Sequence, residues 1–301
     1  SYHPALTMAA GRHNAPRGVP DSTGMPQVFV DQLIIQPFND LEVIEKTIRE
    51  RHFEIAGVLI EPALANCGVI PPVEGYLEGL RKITEQYGVL LIFDEVMTGF
   101  RIAPGGAQEY FNIKPDISTF AKVLGGGFPA ACFGGTKEVM EIEAKNEVMH
   151  GGTYTASPLA LAAADAVLKR IERDKETMYP RLFELSERLR EGLVRVIRAA
   201  GFHCFGQGIG PLFQVFIGDS DIDRLYNYRD TVGYVRDDIF SAFHAELQKR
   251  GVYCHPGQFE RWFLSTEHTD QDIDDTIAAA EESIRAVAKK LKPRAKGIKI
   301  R

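Results

Sequence analysis

Residues 90–129 read LLIFDEVMTGFRIAPGGAQEYFNIKPDISTFAKVLGGGFP. Two apolar runs frame this stretch. The first, Val89–Phe93, ends in the carboxylate of Asp94. The second, Ile117–Ala121, ends in the amine of Lys122, with Gly125, Gly126, Gly127 and Pro129 just beyond it. Short, nearly continuous apolar runs bounded by turn residues are the pattern of strands covered on both faces. In open α/β sheets ligands bind outside the carboxyl ends of the strands. An acid and an amine delivered there by two separate strands mark a candidate site.

The flanking sequence supplies the rest of such a sheet. Val28–Ile35 reads as a short strand. Asn39-Asp40 caps a helix with Leu41, Ile44 and Ile48 on one face. Ile55–Ile60 is a compact apolar run ending at Glu61-Pro62, hence a buried strand. Residues 73–87 form an amphipathic helix with Tyr76, Leu80, Ile83 and Tyr87 on its apolar side, and Ala131–Phe133 adds a last short strand. Strand and helix in alternation imply a parallel sheet with crossover helices. Residues 11–27, rich in glycine, proline and polar side chains, form a long loop, a class of segment that is usually functional or disordered.

Further along the pattern changes. A helical stretch over 174–200 carries Leu182, Leu185, Leu189, Leu193 and Ile197 on one face. Strands follow near 202–205 and 212–217, then a helix over 235–250, a strand pair near 252–265 and a final helix over 270–291. The fold class expected is therefore α/β. A mostly parallel large domain covers 1–172 and a smaller α+β domain covers 173–301, divided in the charged stretch ERDKET.

Composition narrows the function. Of 301 residues 45% are hydrophobic and 25% charged, as in ordinary globular proteins, and the net charge is -6. That balance argues against nucleic-acid and anionic-membrane partners, which require a basic face, and no apolar run approaches the ~20 residues of a membrane span. Cys67, Cys132, Cys204 and Cys254 are scattered without CxxC spacing and read as reduced residues of a cytoplasmic protein. Nothing matches a P-loop, HExxH, GxSxG or a zinc-site spacing.

Each candidate residue has two readings. Lys122 is a surface lysine beside a loop, or an amine whose pocket depresses its pKa and makes it a nucleophile toward carbonyl carbon. Asp94 is a buried structural acid, or the fixed partner of a protonated ring nitrogen. Val96 is core, or packs on a ring face. Gly151–Pro158 caps the helix after it, or binds phosphate with backbone N–H groups and a hydroxyl.

FDEVMTGFR, AKVLGGGFPAACFGG, GTYTASPLA and PGQFERWFLSTEHTDQDID, in this order and spacing, resemble class III pyridoxal-phosphate aminotransferases, closest to the glutamate-1-semialdehyde 2,1-aminomutase branch. The resemblance implies a fold type I enzyme that works as a homodimer with active sites at the subunit interface. It implies pyridoxal phosphate as cofactor, and amino transfer between a small amine or amino acid and a carbonyl acceptor. Lys122 is similar to the lysine of the internal aldimine and Asp94 to the carboxylate on the pyridine nitrogen. Val96 resembles the residue on the ring face, Tyr2 the aromatic on the opposite face, and Asn66 the asparagine near the phenolic oxygen. Thr153 resembles the hydroxyl reaching the phosphate of the neighbouring subunit's cofactor, and Glu260 an acidic residue close to substrate.

Family members carry over a hundred residues ahead of the position of Tyr2, including a phosphate-binding loop, so the N-terminal part of the fold is expected to be absent here. Two departures bear on substrate. The loop 11–27 contains Arg12, His13, Asn14 and Arg17. Arg261 replaces a small residue, either pairing with a substrate carboxylate or lying at the surface. Both favour an aminotransferase of different substrate over a strict aminomutase, which is the alternative. A truncated, non-catalytic partner subunit is a third reading, against which the presence of Lys122, Asp94 and Thr153 together argues.

Overall fold

The computed structural model describes Gly24 and residues 26–291. The chain divides into two compact units. The first holds the described residues up to Pro62 together with Pro72–Lys175, and the second holds Ala63–Pro71 with the chain from Glu176 onward.

In the first unit, β1 (Gly57–Ile60), β2 (Leu90–Asp94), β3 (Ile117–Phe120) and β4 (Cys132–Gly135) form one sheet in that order. The pairs β1/β2 and β2/β3 are parallel, as the crossover pattern requires, whereas β4 runs antiparallel to β3. The register sets Asp94 beside Thr119. Helix α1 (Leu41–Arg51) starts where Asp40 accepts a hydrogen bond from the Val43 N–H, and it buries Ile44 and Ile48. Helix α2 (Tyr76–Tyr87) buries Tyr76, Leu77, Leu80 and Ile83 and stops at Gly88, whose φ of 66° closes the helix in the left-handed conformation. Gly79 lets the two helices meet, since a Cβ there would lie 2.2 Å from Leu41 Cδ2. The Asp116 carboxylate accepts from the Leu91 N–H at 2.7 Å and from Arg81 at 2.8 Å, tying α2 to the entry of both central strands. The outer strands keep apolar groups at the surface: Leu59 on β1 is 39% exposed and Phe133 on β4 42%.

Helix α3 (Gly106–Phe111) follows β2, α4 (Lys137–Ala144) follows β4, and α5 runs unbroken over Pro158–Ala199. The expected helix at 174–200 is thus the second part of a longer one. ERDKET lies inside it, because its residues are mostly good helix formers that pair along the surface, as Arg170 does with Asp174.

The second unit contains an antiparallel sheet of β5 (His203–Ile209), β6 (Leu212–Gly218) and β7 (Trp262–Phe263). Packed with it are α6 (Tyr228–Tyr234), α7 (Asp237–Gln248) and α8 (Asp270–Ala288). Leu185, Leu189 and Leu193 of α5 meet Phe213, Phe240, Phe243 and Ile284 in its core. The strand pair expected at 252–265 reduces to β7.

The expected strand at Val28–Ile35 is also absent: Gln27–Val30 is a helical turn, and Gln27 Nε2 donates to Asp31 four residues on. The alternation of VFVDQLII serves a strand and a one-sided turn alike.

Ala63–Pro71 is fastened to the second unit by backbone. Gly68 donates to the Phe259 carbonyl at 2.8 Å, and the Cys67 carbonyl accepts from Thr231 Oγ1. Gly68 has φ 74°, and a Cβ there would lie 2.1 Å from the ring of Phe216. Gly68→Ala should therefore cost about 2–4 kcal/mol, from an unfavourable φ and an overfilled core together. Urea unfolding of the purified variant measures this.

Candidate active site

Asp94 closes β2. Its Oδ1 accepts from the Val96 N–H at 3.0 Å and from Thr119 Oγ1, on the neighbouring strand, at 3.4 Å. Among the described residues Oδ2 has no hydrogen-bond partner. The carboxylate is half-buried and one of its oxygens is fixed, which is the arrangement needed to hold a proton on a ring nitrogen. Val96, also half-buried, is anchored through its own N–H.

The residue between them is a functional neighbour that sequence reading passed over. Glu95 is fully buried. Its Oε2 accepts from Thr98 Oγ1 at 3.0 Å and from the Ala107 N–H at 2.5 Å. Its Oε1 accepts from the Gln108 N–H at 3.2 Å and from Gln108 Nε2 at 3.0 Å. Two of these donors are the unsatisfied N–H groups of the first turn of α3, a natural seat for a carboxylate. The Glu95 N–H donates to the Thr119 carbonyl at 3.0 Å. A single residue thus clamps the end of β2, the turn after it and the next helix. Gly106 makes the clamp possible, with φ 70° and a Cβ position only 2.2 Å from Glu95 Oε2. The signal available in sequence was an acid beside Asp94 and a Gly-Gly-Ala helix start twelve residues on.

Lys122 follows β3 as expected and opens a single 3-10 turn, Lys122–Gly125. It is exposed and has φ 49°. A left-handed conformation costs a side-chain-bearing residue about 1 kcal/mol or more, and such strain gathers at functional sites. Gly126, at φ 54°, sits where a Cβ would strike Val167 at 2.7 Å, so the turn beyond the lysine packs against α5 only as glycine. Thr153 lies in an exposed turn before α5, in which the Thr155 N–H donates to the Gly152 carbonyl and the Ser157 carbonyl caps the helix by accepting from Leu161. A cleft of about 450 Å³ in the same unit is lined by Phe100, Gly105, Gln108, Glu109, Lys114 and Phe120 among others, and neither Asp94 nor Lys122 reaches its wall.

In the second unit Asn66, Glu260 and Arg261 form one cluster. Arg261 Nη1 donates to Asn66 Oδ1 at 2.6 Å and to the Ala65 carbonyl at 3.3 Å, and it pairs with the Glu260 carboxylate. Its guanidinium carbon lies 5.1 Å from the centre of the Phe263 ring. The side chains of Arg261 and Glu260 are only 9% and 12% exposed. Tyr2 and nearly all of the loop 11–27 lie outside the described residues.

Residues 7–280 match the family described as aminotransferase class-III. The chain belongs to the class III aminotransferase family. Its fold is that of an omega-transaminase from Sphaerobacter thermophilus, with 28% identity over 96% of this chain and 66% of the other, at a TM-score of 0.86. A β-phenylalanine aminotransferase from Variovorax paradoxus is 29% identical over 87% of this chain and 59% of its own, at 0.74. A glutamate-1-semialdehyde aminomutase from Pseudomonas aeruginosa PAO1 shares the fold at 23% identity over 89% and 60%, at 0.76. This class III aminotransferase chain therefore spans 59–66% of the length of these solved structures. The family is pyridoxal-phosphate-dependent. The donor set of the first unit fits that cofactor. It offers an amine for an aldehyde carbon, a carboxylate with one oxygen fixed for a protonated pyridine nitrogen, and a threonine hydroxyl for phosphate.

Burial pushes the Glu95 carboxyl above its ordinary value, against the lowering by its four donors. A raised folded pKa gives stability that is fully present below the unfolded value and lost as pH rises through the folded one. Glu95→Gln turns an amide N–H toward facing donors and should cost about 1–3 kcal/mol. That deficit should narrow as pH is raised from about 4 to about 8, which urea unfolding across this range measures.

Proposed function

We propose that the protein carrying this chain transfers an amino group between an amine or amino acid and a carbonyl compound, an oxo acid or an aldehyde, using pyridoxal phosphate. The observation that carries this reading is the paired, parallel β2 and β3, one ending in Asp94 and the other followed by Lys122, in a class III aminotransferase chain. When bound, the cofactor supplies an electrophilic carbon and a ring that accepts the electron pair left by deprotonation.

Every other role falls to residues. Lys122 contributes the amine that holds the cofactor and, once displaced by substrate, takes the proton from the substrate's α-carbon and returns it. Asp94, with Oδ1 held by Val96 and Thr119, keeps the ring nitrogen protonated through Oδ2. Val96 covers one ring face and Tyr2 the other. Asn66 donates to the ring oxygen. Thr153 serves the phosphate of a neighbouring subunit, and Glu260 faces the substrate. Because Arg261 is engaged by Glu260 and Asn66, it is a weaker candidate for a substrate carboxylate than its residue type implied.

The active form is a homodimer in the cytoplasm. In favour of an interface, the first unit exposes Phe128, Phe133, Val148, Met149 and Leu159. The aminomutase reading keeps support from the fold shared with that enzyme and from Glu260. It predicts 5-aminolevulinate from glutamate-1-semialdehyde without an added amine donor, whereas an aminotransferase requires the donor.

Lys122→Ala in the intact protein should abolish the visible absorption of the bound cofactor and lower turnover by about 10²–10⁴-fold or more. Full transamination by this variant contradicts the assignment. Asp94→Asn should retain cofactor and slow α-proton removal by about 10²–10³-fold, read as the primary isotope effect and rate with α-deuterated substrate.

A further inference from the structure

We propose that Arg261 is a positioning residue for Asn66, holding its side-chain amide so that the NH₂ end is the one presented to the cofactor. This rests on the reading of Asn66 as a cofactor-binding residue given above.

The geometry fixes the amide's polarity. A guanidinium carries donors and no acceptor, so the atom it meets at 2.6 Å is the amide oxygen of Asn66. Turning the amide by half a rotation sets NH₂ against guanidinium, donor against donor, in a largely buried place. Arg261 is itself engaged. The Glu260 carboxylate and the Ala65 carbonyl meet the same Nη1 that reaches Asn66, and the guanidinium lies over the face of Phe263.

The loop bearing Asn66 is equally restrained. Leu64 and Ile70 exchange backbone hydrogen bonds at 3.0 and 2.9 Å, Gly68 is held by Phe259, and Cys67 by Thr231. Among the described residues Asn66 Nδ2 makes no hydrogen bond. The cluster therefore offers an oriented two-proton donor, which suits an oxygen carrying negative charge and disfavours the protonated form of that oxygen. A small residue at 261 would leave the amide free to turn. Arg261 thereby gives this chain a fixed polarity at Asn66.

The test is a pH titration of the visible absorption of the intact, pyridoxal-phosphate-loaded protein. The wild type is compared with Arg261→Met, Asn66→Ala and the double variant, with urea unfolding to confirm that each is folded. Arg261→Met should raise the midpoint by about one pH unit, the worth of one hydrogen bond to a charged oxygen. In the Asn66→Ala background the same replacement should move it no further. If Arg261→Met fails to fold with Glu260 left unpaired, Glu260→Leu combined with Arg261→Met removes both charges and enters the same comparison. Equal shifts in the two backgrounds, or none with Asn66 present, overturn the proposal. A wild-type protein without any visible band contradicts the proposed function itself, and this role with it. A band without coupling contradicts this role alone.

Discussion

The parallel pairing of β2 with β3 is the constraint on which the candidate site depends. It brings Thr119 alongside Asp94 and starts the turn of Lys122 two residues past Phe120, the last residue of β3, at the same end of the sheet. That pairing would still leave Asp94 on a loose strand end without Glu95. The buried carboxylate gathers Thr98, Ala107 and Gln108 around itself, and its own N–H is bound to Thr119. The two adjacent acids divide: Asp94 ends β2, and Glu95, just past it, turns its carboxylate to the start of α3. One is consumed in holding the scaffold, which frees the other for chemistry.

The same economy of charge recurs in the second unit. Burying a guanidinium and a carboxylate is costly unless each is paired and further hydrogen-bonded. Arg261 and Glu260 are paired with each other, and Arg261 also donates to Ala65 and Asn66 and lies over Phe263. The pair does not need to touch substrate to matter, since it controls which end of an uncharged amide is available. Both units thus set a polar group by committing one of its atoms internally: Oδ1 of Asp94 in the first, Oδ1 of Asn66 in the second.

Much of this was legible in the sequence because it depends on local pattern. LLIFD and ISTFAK are apolar runs with one charged end, and their parallel arrangement followed from alternation with helices. The glycines after Lys122 signalled a turn of unusual backbone conformation, and Gly126 has one. The grip of Glu95 was not legible, since apart from Thr98 its partners lie twelve and thirteen residues away, and two of its four donors are backbone N–H groups. The Arg261–Asn66 bond spans 195 residues, and only the family resemblance brought both into view. The strand expected of VFVDQLII at 28–35 was judged by local composition, whereas a helical turn with Gln27 bonded to Asp31 decided its structure. ERDKET at 172–177 lies within the helix continuing from Pro158, and the two units divide inside it, between Lys175 and Glu176.

The central claim is that Lys122 is the amine that holds the cofactor. The most direct measurement is to load the intact protein with pyridoxal phosphate, reduce it with borohydride to make the attachment permanent, digest it and locate the label by mass spectrometry. The account predicts the label on Lys122, in the peptide that contains Gly125–Gly127. A label on another lysine, such as Lys114 or Lys137, or no label on any, would contradict it.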